Sequence, residues 1–252
     1  MNHLTEKDFL DIKYEVQEGR LTMSGMRFYL MGIFLYSGFT VGVSFAIANA
    51  NTVGWDTLSK GWHVIYYIEA VLFALHFLIL LLCWANNSFN QKILIFGVVL
   101  FTYKTALDPY TTMFMLTKDR GVYNLYAPFI FLIIMFGLVL HILVLTKWIR
   151  GLKEEDNSKK IRKSKARIWI PALFVLVTLT TVIVRNGLLG NLELISGLFI
   201  FTFIYIALLI GVCEFIIAAY CIFRFPSFSV NAPPEKKIQY VNKKKKRKKK
   251  KR

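Results

Sequence analysis

The sequence predicts an all-α, polytopic integral membrane protein with six transmembrane helices. Three observations carry that reading. Of the 252 residues, 56% are hydrophobic and 15% aromatic, against roughly 45–50% apolar residues in soluble domains. Mean hydropathy is +0.49, and the apolar residues gather in continuous runs. The net charge of +17 gathers between and after those runs. A disordered chain is excluded, because disorder needs low hydrophobicity. A soluble basic nucleic-acid binder would lack the long apolar runs. Three cysteines cannot frame a disulfide scaffold.

A crossing helix needs about 20 mostly apolar residues to span a core about 30 Å thick. Six stretches meet this: 28–50, 62–85, 93–116, 126–148, 168–189 and 194–223. Lipid offers no partner to an open backbone, so helices are the expected form. Barrel strands would show short alternating segments. Connections are short except 149–167, so sequential helices should be antiparallel neighbours. The organisation is a leader (1–27), a six-helix domain (28–223) with a basic loop (149–167), and a tail (224–252).

The leader reads as a short amphipathic helix. Thr5 and Asp8 have N-cap spacing, and Phe9, Ile12 and Val16 share a face. It is expected to lie on the membrane surface. Its five acids (Glu6, Asp8, Asp11, Glu15, Glu18) and the length of the first apolar run argue against a cleaved signal peptide, although Ala46-Ile47-Ala48 resembles a cleavage site. The third span carries Lys104, Asp108 and Pro109. Lys104 and Asp108 are four apart and can partly neutralise each other. Pro109 predicts a kink. Were this span re-entrant, the count would fall to five. The sixth run is longer than one crossing needs.

Charge gives an orientation. With six spans, 27 Lys/Arg lie on one side and three (Lys60, Lys118, Arg120) on the other. Without the last ten residues the split is still 17 to three. The positive-inside rule then places both termini in the cytoplasm, with the cell membrane the expected location. Cys83, Cys213 and Cys221 fall toward cytoplasmic ends and are expected to be free thiols. No metal-ligand spacing stands beside them, and no cofactor motif occurs.

Ionisable groups inside a membrane are costly and mark candidate sites. They are Glu69, His76, Lys104, Asp108, His141, Arg185 and Glu214. A polar cluster of Glu69, Asp108 and Arg185, with Lys104 and His76 near it, would link spans two, three and five in the outer half. Helix packing or snorkelling is weighed above a substrate or ion site. Gly38, Gly42, Ala46 and Ala50 recur every four residues, and Ala207 and Gly211 repeat that spacing. Small residues let helices approach closely, with contact inside one monomer favoured over a homodimer seam. No Walker A, HExxH or CxxC pattern occurs, and no paired intramembrane aspartates. An enzyme is therefore not expected.

The tail is unusual. Residues 227–242 read as a polar linker with Pro233-Pro234. Then follow Lys243, Lys244, Lys245, Lys246, Arg247, Lys248, Lys249, Lys250, Lys251 and Arg252. Each base near an anionic surface contributes about 1 kcal/mol, screened by salt. Binding to anionic lipid headgroups ranks first, a topology signal second. Nonspecific RNA ranks third, because no aromatic is interleaved. The expected function is an accessory or protective membrane component, secretion-associated or toxin-immunity-like, acting by packing against another membrane protein. A small permease or channel is the alternative, and an intramembrane enzyme comes third.

Overall fold

The computed structural model describes residues 5–50, 52–152 and 192–232. Among these residues the fold is all-helical. A 3-10 turn at Glu6–Phe9 opens the leader helix α1 (Leu10–Gln17). Five long helices follow: α2 (Met23–Ala48), α3 (Lys60–Leu82), α4 (Ser88–Asp119), α5 (Tyr123–Leu152) and α6 (Leu192–Arg224). All five are long and apolar enough to cross a membrane. The apolar run 168–189, Arg185, most of the basic loop and the bases from Lys243 to Arg252 lie outside the described residues.

Local chemistry sets the helix starts. The Thr22 hydroxyl accepts from Gly25 N at the head of α2. The Asn87 side chain accepts from Asn90 N, 2.7 Å away, at the head of α4. Each cap satisfies a backbone donor that the first turn leaves open. Gly54 and Gly121, in the two turns at the far end of the bundle, have φ of 74° and 68°, where a Cβ would be strained.

The re-entrant alternative for the third span does not hold. α4 is one continuous helix of 32 residues with Pro109 inside it. At about 1.5 Å per residue it exceeds the thickness of the hydrocarbon core. It is also the axis of the bundle, packed most extensively against α2 and α6. Two thirds of its most apolar stretch (67%) is buried, against 17% for α3. Its polar residues are tolerated because protein surrounds them.

The two ends of the bundle differ. One end holds a cluster of Phe9, Val16, Met26, Cys83, Leu94, Cys221 and Phe228, with Leu152 packed against it. The other holds Ala48, Leu58, Tyr66 and Met115. There the Arg120 guanidinium meets Glu193 at 2.8 Å, joining the end of α4 to the start of α6. So α5 ends and α6 begins at opposite ends of the bundle.

The leader forms its expected amphipathic helix, and its apolar face is covered by the end of α6. Its cap forms as its spacing predicts, with Thr5 N donating to Asp8 Oδ2 at 2.7 Å. Phe9 and Val16 are buried, but against protein. The Phe9 ring lies 5.9 Å from Tyr220 and 5.8 Å from Phe225. Gln17 Nε2 donates to Ser227 O at 3.1 Å, and Arg20 reaches both oxygens of Glu214 at 2.6 and 2.5 Å. Gln91 on α4 holds the segment after α6: its Nε2 donates to Phe228 O and its Oε1 accepts from Val230 N. The aromatic end of α6 gives the leader's apolar face a packed partner, which a headgroup layer cannot. Lys13 Nζ sits 2.8 Å from Glu6 and holds that carboxyl below its ordinary value. The contact therefore weakens as pH falls through that lowered value.

α5 and α6 meet through a notch. A Cβ on Gly137 would lie 2.1 Å from Tyr205 Cε1, while the Tyr205 hydroxyl donates to Ile134 O at 2.8 Å. Glycine there lets the ring lie across α5. Gly137→Ala should destabilise the protein by about 1–3 kcal/mol through overpacking. Thermal unfolding in detergent checks this, and Gly137→Ala combined with Tyr205→Leu should recover part of the loss.

Candidate functional site

Three helices converge on one ammonium group. Ser37 lies near the middle of α2, Glu69 on the inward face of α3, and Lys104 and Asp108 near the middle of α4. Lys104 Nζ donates to Ser37 Oγ at 2.9 Å and lies 2.9 Å from each oxygen of Asp108. Glu69 Oε2 stands 2.5 Å from the same nitrogen, in ion contact but without hydrogen-bond alignment. Ser37 and Asp108 are fully buried. The Lys104 side chain is 5% exposed and that of Glu69 13%.

Helical spacing makes this site. Residues 104 and 108 stack one turn apart on the face of α4 turned to α2 and α3. A lone lysine at the centre of a membrane helix costs roughly 2.5–3.5 kcal/mol on insertion scales. Two carboxylates and a hydroxyl around it offset that cost. The pairing also leaves a surplus: one ammonium faces two carboxylates.

Three of the expected site residues, Glu69, Lys104 and Asp108, are thus brought together. His76 is not part of this contact. Its Nε2 bonds Leu30 O on α2 at 3.0 Å, and its ring stacks on Phe101 at 4.1 Å. Arg185 lies outside the described residues. His141 joins a second polar group. Its Nδ1 is 2.8 Å from Leu209 O and its Nε2 2.6 Å from the Tyr103 hydroxyl. A carbonyl only accepts, so Nδ1 carries the proton and Nε2 accepts from Tyr103. The Cys213 thiol, 3.4 Å from Nδ1, therefore faces a protonated nitrogen and not a base.

The small-residue spacings pack differently from expectation. Gly38 packs, with its missing Cβ 3.1 Å from Phe73. Gly42, Ala46, Ala207 and Gly211 are exposed among the described residues, and nothing stands near a Cβ at Gly42 or Gly211. The stripe that α2 buries is Ser37, Thr40, Ser44 and Ala48. It works by hydrogen bonding as well as by smallness. Thr112 donates to Thr40 O at 2.7 Å, Ser44 meets the Tyr66 hydroxyl at 2.7 Å, and Tyr29 meets Thr102 at 3.1 Å. The three cysteines are buried and free, and no group of metal-ligating residues occurs among the described residues. A cavity of about 320 Å³ lined by Thr52, Thr57, Lys118 and Tyr123 lies at the end away from the leader.

Sequence spacing pointed to the ionisable members of the site. It missed Ser37, Tyr103 and Tyr66. The usable signal was a hydroxyl on the same helical stripe as other small polar residues, at 37, 40 and 44. Lys104→Met should leave two buried carboxylates without their cation and cost about 3–5 kcal/mol at neutral pH. Glu69→Gln with Lys104→Met and Asp108→Asn should restore most of it. Unfolding of the single and triple variants in the same detergent measures the difference.

Compared with protein-family models, with curated proteins and with solved structures, the chain finds no match.

Proposed function

We propose that this protein is an accessory or protective membrane component that acts by packing against another membrane protein. One observation supports the reading most. The ionisable side chains of the described bundle interior, Glu69, His76, Lys104, Asp108 and His141, all close contacts within the chain. They hold helices to one another. The outward faces are left with apolar side chains such as Phe39, Tyr67, Val71 and Leu82, which can present shape to a neighbour in the bilayer. The second reading, a small permease or channel, draws on the convergence of Glu69, Lys104 and Asp108.

Six crossings with both termini cytoplasmic form part of this proposal. The leader and the segment after α6 touch at one end of the bundle, and the positive charge of the sequence concentrates on one side. α5 ending and α6 beginning at opposite ends agrees with a further crossing. The tail, from Lys243 to Arg252, then meets the anionic cytoplasmic leaflet of the cell membrane.

Two experiments test these readings. The variant carrying Glu69→Gln, Lys104→Gln and Asp108→Asn should keep its copurifying membrane protein after mild detergent extraction. Gly42→Trp, on the outward face of α2, should lose it. A folded triple variant that loses the partner, beside a Gly42→Trp variant that keeps it, overturns the packing reading. A peptide of residues 227–252 should bind anionic vesicles and release as salt rises. Equal binding to neutral vesicles removes the lipid assignment.

A further inference from the structure

We propose that the outward stripe of α6, through Phe203, Ala207 and Gly211, is the docking face for the apolar run 168–189 of the same chain. The proposal rests on the six-crossing reading above and adds which surface receives the further crossing.

Chain length limits the choice. Leu152 packs against the cluster at the leader's end of the bundle, while Glu193 meets Arg120 at the other end. The chain between them has to return along the bundle. The run ends at 189, so only residues 190 and 191 separate it from α6. From residue 189 to residue 192 the chain reaches at most about 11 Å. Packed helix axes stand roughly 8–10 Å apart. The end of the run therefore falls beside the first turn of α6. Toward α5, residues 153–167 intervene and impose no such closeness.

Surface chemistry selects the face. Leu198, Thr202, Tyr205, Leu209 and Val212 are buried, and α6 packs against α4 and α5. On the opposite side Ser196, Ile200, Phe203, Ala207 and Gly211 recur every three or four residues and form one stripe. All five are exposed among the described residues, and nothing stands near a Cβ at Gly211. A stripe that narrows to alanine and glycine admits another backbone closely, and close packing is what favours association in lipid. The run fits it in charge. Its one ionisable residue, Arg185, lies four residues from its end, toward the edge of the membrane. A second copy or a separate protein would have to compete with this run, which a short link holds at about millimolar effective concentration or more. A partner in the bilayer is then left the outward faces of α2 and α3.

The experiment places a photoreactive phenylalanine analogue at Phe203 of the full-length protein in its membrane. Illumination should cross-link it to a peptide from 168–189 of the same chain. The same analogue at Phe39, on the outward face of α2, should not reach that run. Gly211→Phe should lower the yield from position 203. A cross-link to a second copy, to another protein or to lipid alone overturns the proposal, as does an unchanged yield in Gly211→Phe. Side-specific labelling keeps the two readings apart. Lys159→Cys and Asn191→Cys should react with an impermeant maleimide from opposite sides of the membrane. Reaction from one side removes the further crossing and the docking with it. Reaction from opposite sides, without the cross-link from 203, removes the docking alone.

Discussion

An ammonium group in the middle of a membrane helix has to be neutralised by the protein around it, and Lys104 imposes that requirement on three helices. α4 supplies Asp108 one turn away, α2 supplies the Ser37 hydroxyl, and α3 supplies Glu69. Each contact holds only if its helix keeps its rotation and depth. The ion contact therefore sets register as well as energy. Ser37 lies in the same buried stripe as Thr40, Ser44 and Ala48. Satisfying Lys104 also turns the hydroxyls of that stripe toward α3 and α4.

The remaining contacts follow from the solvent. Between helices in lipid, apolar burial gives little drive, because a neighbouring acyl chain is as apolar as leucine. Packing and interhelical hydrogen bonds have to supply the preference, at about 0.6–2 kcal/mol each. Tyrosine and histidine are used repeatedly for this. Tyr205 reaches Ile134 O, His76 reaches Leu30 O, and His141 reaches Leu209 O. A backbone carbonyl has two lone pairs, so each can accept a side chain without losing its own helical bond. The same need explains Gly137, where Tyr205 reaches a carbonyl only because α5 offers no Cβ in its way.

This division explains what was legible in the sequence. Apolar length is local, so the five described spans were readable within a few residues. The pairing of Lys104 with Asp108 was readable because a helix puts residues four apart on one face. Glu69 was readable as a member, since a lone intramembrane acid needs a counter-charge. The hydrogen bonds to carbonyls were not, because any carbonyl on a facing helix will serve and sequence does not say which faces which. The leader shows the same limit. Its amphipathic face and its cap at Thr5 and Asp8 are local features and formed as read. What that face covers was not readable, because the Phe225 and Ser227 it meets stand more than two hundred residues away. Gly38 and Gly42 show a third case: four-residue spacing placed them together, but a helix face is fixed by its partners, and among the described residues only Gly38 meets a neighbouring helix, at Phe73, while Ser37 and Thr40 hold the inner face.

Spending polar chemistry inside the bundle constrains what the outside can recognise. On α2, Phe28, Leu35 and Phe39 stand out at 75%, 66% and 71% exposure. Beside them Gly32 and Gly42 leave open notches with no atom near a Cβ. Such a surface carries relief but no charge, so a neighbour in the bilayer can be selected only by fit and close backbone approach. Charged recognition is left to the ends of the helices. Acids and bases reach water there, and exposed pairs such as Arg120 with Glu193 cost little to break. Affinity inside the membrane and charge at its edges would then act as separate determinants, the first insensitive to salt and the second screened by it.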